Sequence, residues 1–337
     1  MSKKLISIGD VQCPPGELRL GRIIAGHHQD SAPIAIPLIV VNGAHDGPTL
    51  WLGAAVHGSE IAGCEVIRRI TREIVKPAEL HGVILAAPIQ NPLAFRASSY
   101  HTPQDGLNMN RVFPGDPDET ITHRLAHAIY TQGVAQSDYL MDLHCNALGS
   151  IDFIFVRWRE EEAWQKGWAM AKAYGVTIVE SVPKRLGFGF EERLVGLLCD
   201  VALEARKPCI TVELTPQHYF EERSIRSGVT GTLNVMKYLK MLAGNLEPQT
   251  EVPVIPEPLR PQLRVTAQRG GLLTYLVPVG QKVRKGQPLV LVRDPWGDVV
   301  ETVTSPADGY LLSYPRHGNQ AAASGDIVVF VAPPRAA

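Results

Sequence analysis

The 337-residue chain lacks a charge excess of either sign: 33 Lys plus Arg stand against 34 Asp plus Glu, a formal net charge of −1. Nucleic-acid binders and polybasic membrane adsorbers need a strong cationic excess, so neither partner is expected. Long apolar runs are also missing, and none approaches the roughly 20 residues that a membrane-spanning helix needs. The start, Met1 to Asp10, carries Lys3 and Lys4 but meets Gly9 and Asp10 before a signal-peptide core can form. Cysteine is sparse and scattered: Cys13, Cys64, Cys145, Cys199 and Cys209 include no C-x-x-C pair. That spacing argues against a disulfide framework or a zinc knuckle, and a reducing cytoplasm is the expected compartment. A G-x-S-x-G nucleophile elbow, a P-loop and a G-x-G-x-x-G dinucleotide fingerprint are absent as well.

What is present is an ordinary globular composition, 45% hydrophobic and 20% charged, with 30 glycines and 26 prolines above the usual share. From Pro37 to Gly244, strand-length apolar runs alternate with helical patterns. The runs are Ile36–Val41, Thr49–Val56, Val83–Ile89, Tyr139–His144, Phe153–Val156 and Cys209–Leu214. Helices are expected over Glu60–Val75, with Ile67, Ile70 and Ile74 on one stripe, and over Ile121–Val134, Glu160–Tyr174, Glu191–Ala205 and Glu222–Leu242. Such alternation implies an α/β fold, a mixed sheet flanked by helices, with its chemistry at the carboxyl ends of the strands. Residues 1–244 form this unit, with a β-rich beginning over 1–35. Five prolines in 245–262 mark a connector, and 263–337 read as a small all-β domain.

Candidate chemistry gathers at strand ends. His57 and Glu60 stand three apart across a turn eased by Gly58, where imidazole and carboxylate can converge on a metal. A helix N-terminus with an early carboxylate is the structural alternative. His144 closes another expected strand, which strengthens the metal reading; Asp142 reads as an inner-sheet carboxylate. Asn110-Arg111, in a loop rich in Gly and Pro, pairs an amide with a guanidinium suited to gripping a carboxylate, or is simply a structural loop with a surface arginine. Glu213, alone among apolar neighbours in Thr211-Val212-Glu213-Leu214, is either a general base or an edge-of-sheet carboxylate. His123 and His127 stand at i, i+4 without the glutamate of an H-E-x-x-H site, a weaker candidate for a second metal.

Taken in order, His57-x-x-Glu60, Asn110-Arg111-x-Phe113-Pro114-Gly115, Asp142-x-His144 and Thr211-Val212-Glu213-Leu214 resemble the motifs of the succinylglutamate desuccinylase/aspartoacylase family, a branch of the zinc carboxypeptidase-like hydrolases. The resemblance covers about residues 20–245. In length and β appendage the chain is most similar to bacterial members that include N-acetyl-diaminobutyrate deacetylases. It implies one Zn2+ per chain on His57, Glu60 and His144, with Glu213 activating water. Asn110 and Arg111 would hold a carboxylate of a small N-acylated amino-acid-like substrate. Where relatives often read Asp-Leu-Asn-Arg, this chain has Asn108-Met109-Asn110-Arg111. The arginine many relatives carry near Tyr100 is absent, and Arg96 is the nearest substitute for polarising the scissile carbonyl. A carboxypeptidase-like or other small-amide hydrolase could share the site.

The segment Gly271–Leu289 resembles the hairpin of biotinyl/lipoyl-type barrel-sandwich domains. The tip where a carrier bears its lysine reads Asp294-Pro295-Trp296-Gly297-Asp298, so a cap or assembly surface is expected, and with it a homo-oligomer. A non-catalytic binding or carrier protein is the rival reading. The loops Phe95–Gln104 and Lys184–Glu192, the latter with Gly187-Phe188-Gly189-Phe190 as a lid, are the expected pocket walls.

Overall fold

The computed structural model describes residues 4–156, 158–181, 196–315 and 320–335. The expected lid, Lys184–Glu192, lies outside the described residues. After a short hairpin of β1 (Ile6–Ile8) and β2 (Val11–Cys13), the chain enters an eight-stranded sheet. Its members are β3 (Glu17–His27), β4 (Pro33–Asn42), β5 (His45–Ala54), β6 (His81–Ala87), β7 (Tyr139–Cys145), β9 (Phe153–Val156), β10 (Thr177–Glu180) and β11 (Cys209–Leu214). The strand order is β10-β9-β11-β7-β5-β6-β4-β3. The four central strands β11, β7, β5 and β6 run parallel, while β9 meets β11, β4 meets β6 and β3 meets β4 antiparallel. The sheet is therefore mixed, flanked by helices as the sequence suggests.

The central strands are apolar on both faces because helices cover both. Leu50, Leu52, Met141 and Leu143 join Val66, Ile67, Trp168 and Val235 on one side, from α1 (Ala62–Arg69), α4 (Glu162–Tyr174) and α6 (Glu222–Tyr238). Trp51, Leu85 and Leu140 point the other way, towards Leu93, Leu125 and Leu198 of α2 (Pro92–Arg96), α3 (Ile121–Ala128) and α5 (Leu198–Glu204). The α1 stripe departs from the even period. Ile67 and Ile70 are buried, but a π-helical turn over Ile70–Ile74 follows, and Ile74 is exposed. The wider turn rotates it off the stripe.

The rest of the chain is β structure. One sheet runs β12 (Leu263–Thr266), β19 (Ile327–Ala332), β17 (Gly309–Tyr314) and β14 (Lys282–Val283); the other runs β16 (Val299–Thr304), β15 (Pro288–Arg293), β13 (Gly271–Tyr275) and β18 (Ala321–Ala322). Leu289, Val290, Val292, Leu311 and Val329 fill the space between them. Both sheets are antiparallel. The strand β8 (Gly149–Ser150) pairs with β17, so the two halves share a ladder. The proline segment is tied down as well. The Glu247 amide donates to Asn234 Oδ1 at 2.8 Å, the Ile255 amide donates to Thr177 Oγ1 at 2.9 Å, and Leu259 bridges Val179 to Pro334.

Candidate metal centre

β5 ends at Ala54, and the next residue, Ala55, takes a left-handed φ of 49° that turns the chain sharply off the sheet. Gly58 lets this turn lie against α2: a Cβ there would stand 2.0 Å from the Ala94 carbonyl oxygen. His57 and Glu60 are delivered by that turn, and His144 by the end of β7. All three are 3% exposed. His57 Nδ1 is 2.7 Å from Glu60 Oε1, and His144 Nδ1 is 2.9 Å from Glu60 Oε2. One carboxylate thus faces two imidazoles, and one ligand atom from each residue lies within 4.8 Å of the others.

Each imidazole is anchored through its other nitrogen. His144 Nε2 donates to Asp142 Oδ2 at 2.8 Å, and Asp142 Oδ1 accepts from Gln90 Nε2 at 2.8 Å. His57 Nε2 lies 3.0 Å from Asn108 Oδ1. Acceptors in these places fix the tautomer that leaves Nδ1 available to a metal. Two imidazoles and a carboxylate, with a pocket on the fourth side, are a donor set that fits a catalytic divalent ion.

The local charges are strongly coupled. Burial pushes the Glu60 carboxyl up, but the positive charge and hydrogen bonds of His57 and His144 outweigh it and hold the group at about 2. Burial pulls His144 down, yet Asp142 and Glu60 carry it well above the usual imidazole range. Glu213 aligns with His144 across the parallel β11–β7 ladder, and Thr211 with Asp142. Burial pushes the Glu213 carboxyl to about 8, opposed by His144 and reinforced by Glu60 and Asp142. Added positive charge at this point favours the ionised form, the form a general base needs.

A pocket of about 850 Å³ opens over these groups, lined by His57, Glu60, His144 and Glu213 on its floor and by Asn110 and Arg111 on one wall. The Asn110-Arg111 turn is held by Asn108, whose Oδ1 also accepts the Asn110 amide at 2.8 Å, and by Asn110 Oδ1, which accepts the Leu198 amide at 2.9 Å. Arg111 Nη1 donates to the Asn110 carbonyl at 2.6 Å. The far wall comes from the β part: Leu263, Arg264, Pro306, Pro315 and Phe330.

Six of the seven residues singled out by sequence meet at this pocket; Arg96 does not. It closes the five-residue helix α2 with its side chain outward, and its Nη1 is 3.3 Å from His28 Nε2 in an exposed contact. Arg96 is exposed and is not among the residues that line the pocket. Tyr100 enters the pocket instead, its ring stacked on His57 with centroids 3.8 Å apart and planes 18° apart. Burial, then the negative charge of Glu60, raises its phenol above the usual range. Asn108, Gln90 and Gln217 were also missed; the only available signal was their place beside the motifs, Gln90 and Gln217 shortly after strands and Asn108 at the head of the Met109–Arg111 turn. Among the described residues, His57, Glu60 and His144 are the one group that could hold a metal ion, and His123 and His127 gain no third partner.

Fold and site together define the carboxypeptidase-like α/β class, with a His-Glu-His group that could hold a metal ion at the carboxyl ends of adjacent strands. More narrowly, the chain belongs to the succinylglutamate desuccinylase/aspartoacylase family, whose catalytic-domain model matches residues 46–239. It is 27% identical over 265 residues to the N-alpha-acetyl-L-2,4-diaminobutyric acid deacetylase of Halomonas elongata, covering 77% of this chain and 75% of that protein. The product-bound ectoine utilization protein EutE (DoeB) from Ruegeria pomeroyi superposes with a TM-score of 0.83 at 25% identity, over 98% of this chain and 99% of that one. A succinylglutamate desuccinylase/aspartoacylase from Rhodobacter sphaeroides shares the fold at a TM-score of 0.82 and 23% identity, over 99% of each chain.

Proposed function

We propose that the chain is a zinc-dependent deacylase that hydrolyses the amide bond of a small N-acylated amino acid, with Nα-acetyl-L-2,4-diaminobutyrate the first candidate. The observation that carries this reading is the convergence of His57, Glu60 and His144, with Glu213 in register beside His144 at the pocket floor. The relatives named above supply the candidate substrate.

His57, Glu60 and His144 hold the ion, one per chain. When bound, zinc supplies a Lewis acid for the amide carbonyl and lowers the pKa of an attacking water. Glu213 accepts the proton of that water on a carboxylate oxygen and hands it to the departing amine nitrogen. The amide C–N bond breaks as a C–O bond forms, giving a carboxylic acid and a free amine. Arg111, with Asn110, receives the substrate carboxylate and fixes which bond lies over the floor. Asp142 and Asn108 keep the two imidazoles turned towards the ion.

The division into a hydrolase unit over 1–244, a connector over 245–262 and a β unit over 263–337 belongs to the same reading. In it the β unit is a wall of the pocket, supported by the lining residues it contributes. The cytoplasm is the proposed compartment, consistent with five cysteines that are all free thiols, and a homo-oligomer the proposed state. Among the described residues no helix is long and apolar enough to cross a membrane.

The test is a panel of N-acetyl, N-succinyl and N-formyl amino acids assayed for released amine, together with elemental analysis of the purified chain. Release of diaminobutyrate by a protein holding one zinc supports the reading. A metal-free chain inert on every member of the panel sinks it.

A further inference from the structure

Hydrolysis at this site leaves negative charge on the substrate carbonyl oxygen, and a preorganised donor aimed at that oxygen lowers the barrier more than any contact to the resting amide. Most donors around the pocket are already committed. Arg111 is the proposed partner of the substrate carboxylate, Gln217 Nε2 donates to the Cys145 carbonyl at 2.9 Å, and Arg96 lies outside the pocket with its guanidinium towards His28.

Tyr100 differs on each count. Two backbone hydrogen bonds seat the loop that carries it: the Ser99 amide donates to the Ala94 carbonyl at 3.0 Å, and the Gly58 amide donates to the Ser99 carbonyl at 2.8 Å. The second of these joins the residue before Tyr100 to the residue after His57. The phenol ring then lies parallel to the His57 imidazole, with His101 against its edge at 5.2 Å. Backbone and ring together fix where the hydroxyl sits relative to the metal ligand. Among the described residues no hydrogen-bond partner meets that hydroxyl, and Tyr100 is one of the residues that line the pocket.

We propose that Tyr100 is a catalytic residue of this site, its hydroxyl donating a hydrogen bond to the substrate carbonyl oxygen as that oxygen becomes negative. The inference rests on the deacylase reading and deepens it. No bond to Tyr100 forms and its proton stays on the phenol oxygen, so the hydrolysis remains balanced as written above.

Tyr100→Phe isolates the hydroxyl, because the ring and its stacking on His57 are kept. With Nα-acetyl-L-2,4-diaminobutyrate, kcat should fall about 100-fold, the scale seen when one oxyanion donor is removed. KM should stay within about threefold and zinc at one per chain. Unchanged kcat, a loss expressed only in KM, or loss of the metal would each overturn the proposal. A second measurement is independent of turnover: affinity for the methylphosphonamidate of diaminobutyrate, a tetrahedral anionic mimic. That affinity should weaken about 100-fold in Tyr100→Phe while free diaminobutyrate binds as before; equal affinity of wild type and variant for the mimic overturns the proposal. An inactive wild type would count against the deacylase reading, and the mimic would still decide the role of Tyr100.

Discussion

At the carboxyl ends of the central strands, His57, Glu60, Asp142 and His144 are all 3% exposed or less. In the β part after residue 262, the buried polar side chains among the described residues are Ser305 and Ser313, and the rest of that interior is Val, Leu, Ala and Tyr. The contrast separates two uses of burial. The β part buries apolar area, which stabilises without any need for a partner. The strand ends bury carboxylates and imidazoles that cost free energy unless opposite charge offsets them. Such a cluster persists in a fold because it does something that packing cannot.

The largest effect should come from His144→Ala. Zinc content should drop from one per chain to near zero, and turnover should vanish with it, since two ligands seldom hold a catalytic ion. Retention of metal by this variant would mean that the cluster is a buried ion-pair network and not a ligand set. Next, Glu213→Gln should keep the metal and lower kcat by about 10²- to 10⁴-fold, the usual contribution of a positioned acid–base group. Full activity in this variant would remove Glu213 from the mechanism. On the other side of the comparison, Leu289→Ala hollows out the β core and should cost about 2–5 kcal/mol in stability, read from urea unfolding. Zinc stoichiometry and kcat of the folded protein should stay unchanged. If the metal left with the leucine, the two regions would not be separable.

Legibility in the sequence followed the same contrast. Runs of branched apolar residues between turn residues give β11 and β16 their observed limits, Cys209–Leu214 and Val299–Thr304. The edge strand β3 falls within the stretch 1–35 that reads as β-rich, but its limits were not legible, because Leu20 and Ile24 are exposed and its apolar alternation is blurred. Three of the four site motifs sit where strands stop, so their residues could be found from strand ends. Their meeting depended on strand order, which spacing does not encode: Glu60 and His144 are 84 positions apart yet in contact. Within a loop even less is determined. Arg96 and Tyr100 are four residues apart, with the left-handed Ser98 between them at a φ of 47°, yet only the tyrosine lines the pocket.

One buried carboxylate in the α/β half stands apart from the His57, Glu60 and His144 cluster, and it gives the finest test of the contrast. Asp152, 2% exposed, accepts the Ser224 hydroxyl at 3.0 and 2.9 Å, and Ser224 Oγ accepts the Thr215 amide at 2.9 Å, two residues beyond Glu213. Burial pushes this carboxyl to about 7, against hydrogen bonds from Ser224 that favour the ionised form. Its pKa is thus higher folded than unfolded, where about 3.9 is usual. Between those values the folded chain binds the proton more tightly, so this group removes stability as pH rises from about 4 to about 7 and removes no more above that. Asp152→Asn stays neutral throughout. It should match wild type near pH 4 and become the more stable protein by pH 8, with a gap of up to roughly 4 kcal/mol from about 1.4 per unit of pKa. Urea midpoints of the two proteins across that range measure it, and other titrating groups cancel in the difference. A gap that stays flat with pH would show that Asp152 is charged in the folded protein, and that the Ser224 and Thr215 contacts exist to hold that charge beside the turn after β11.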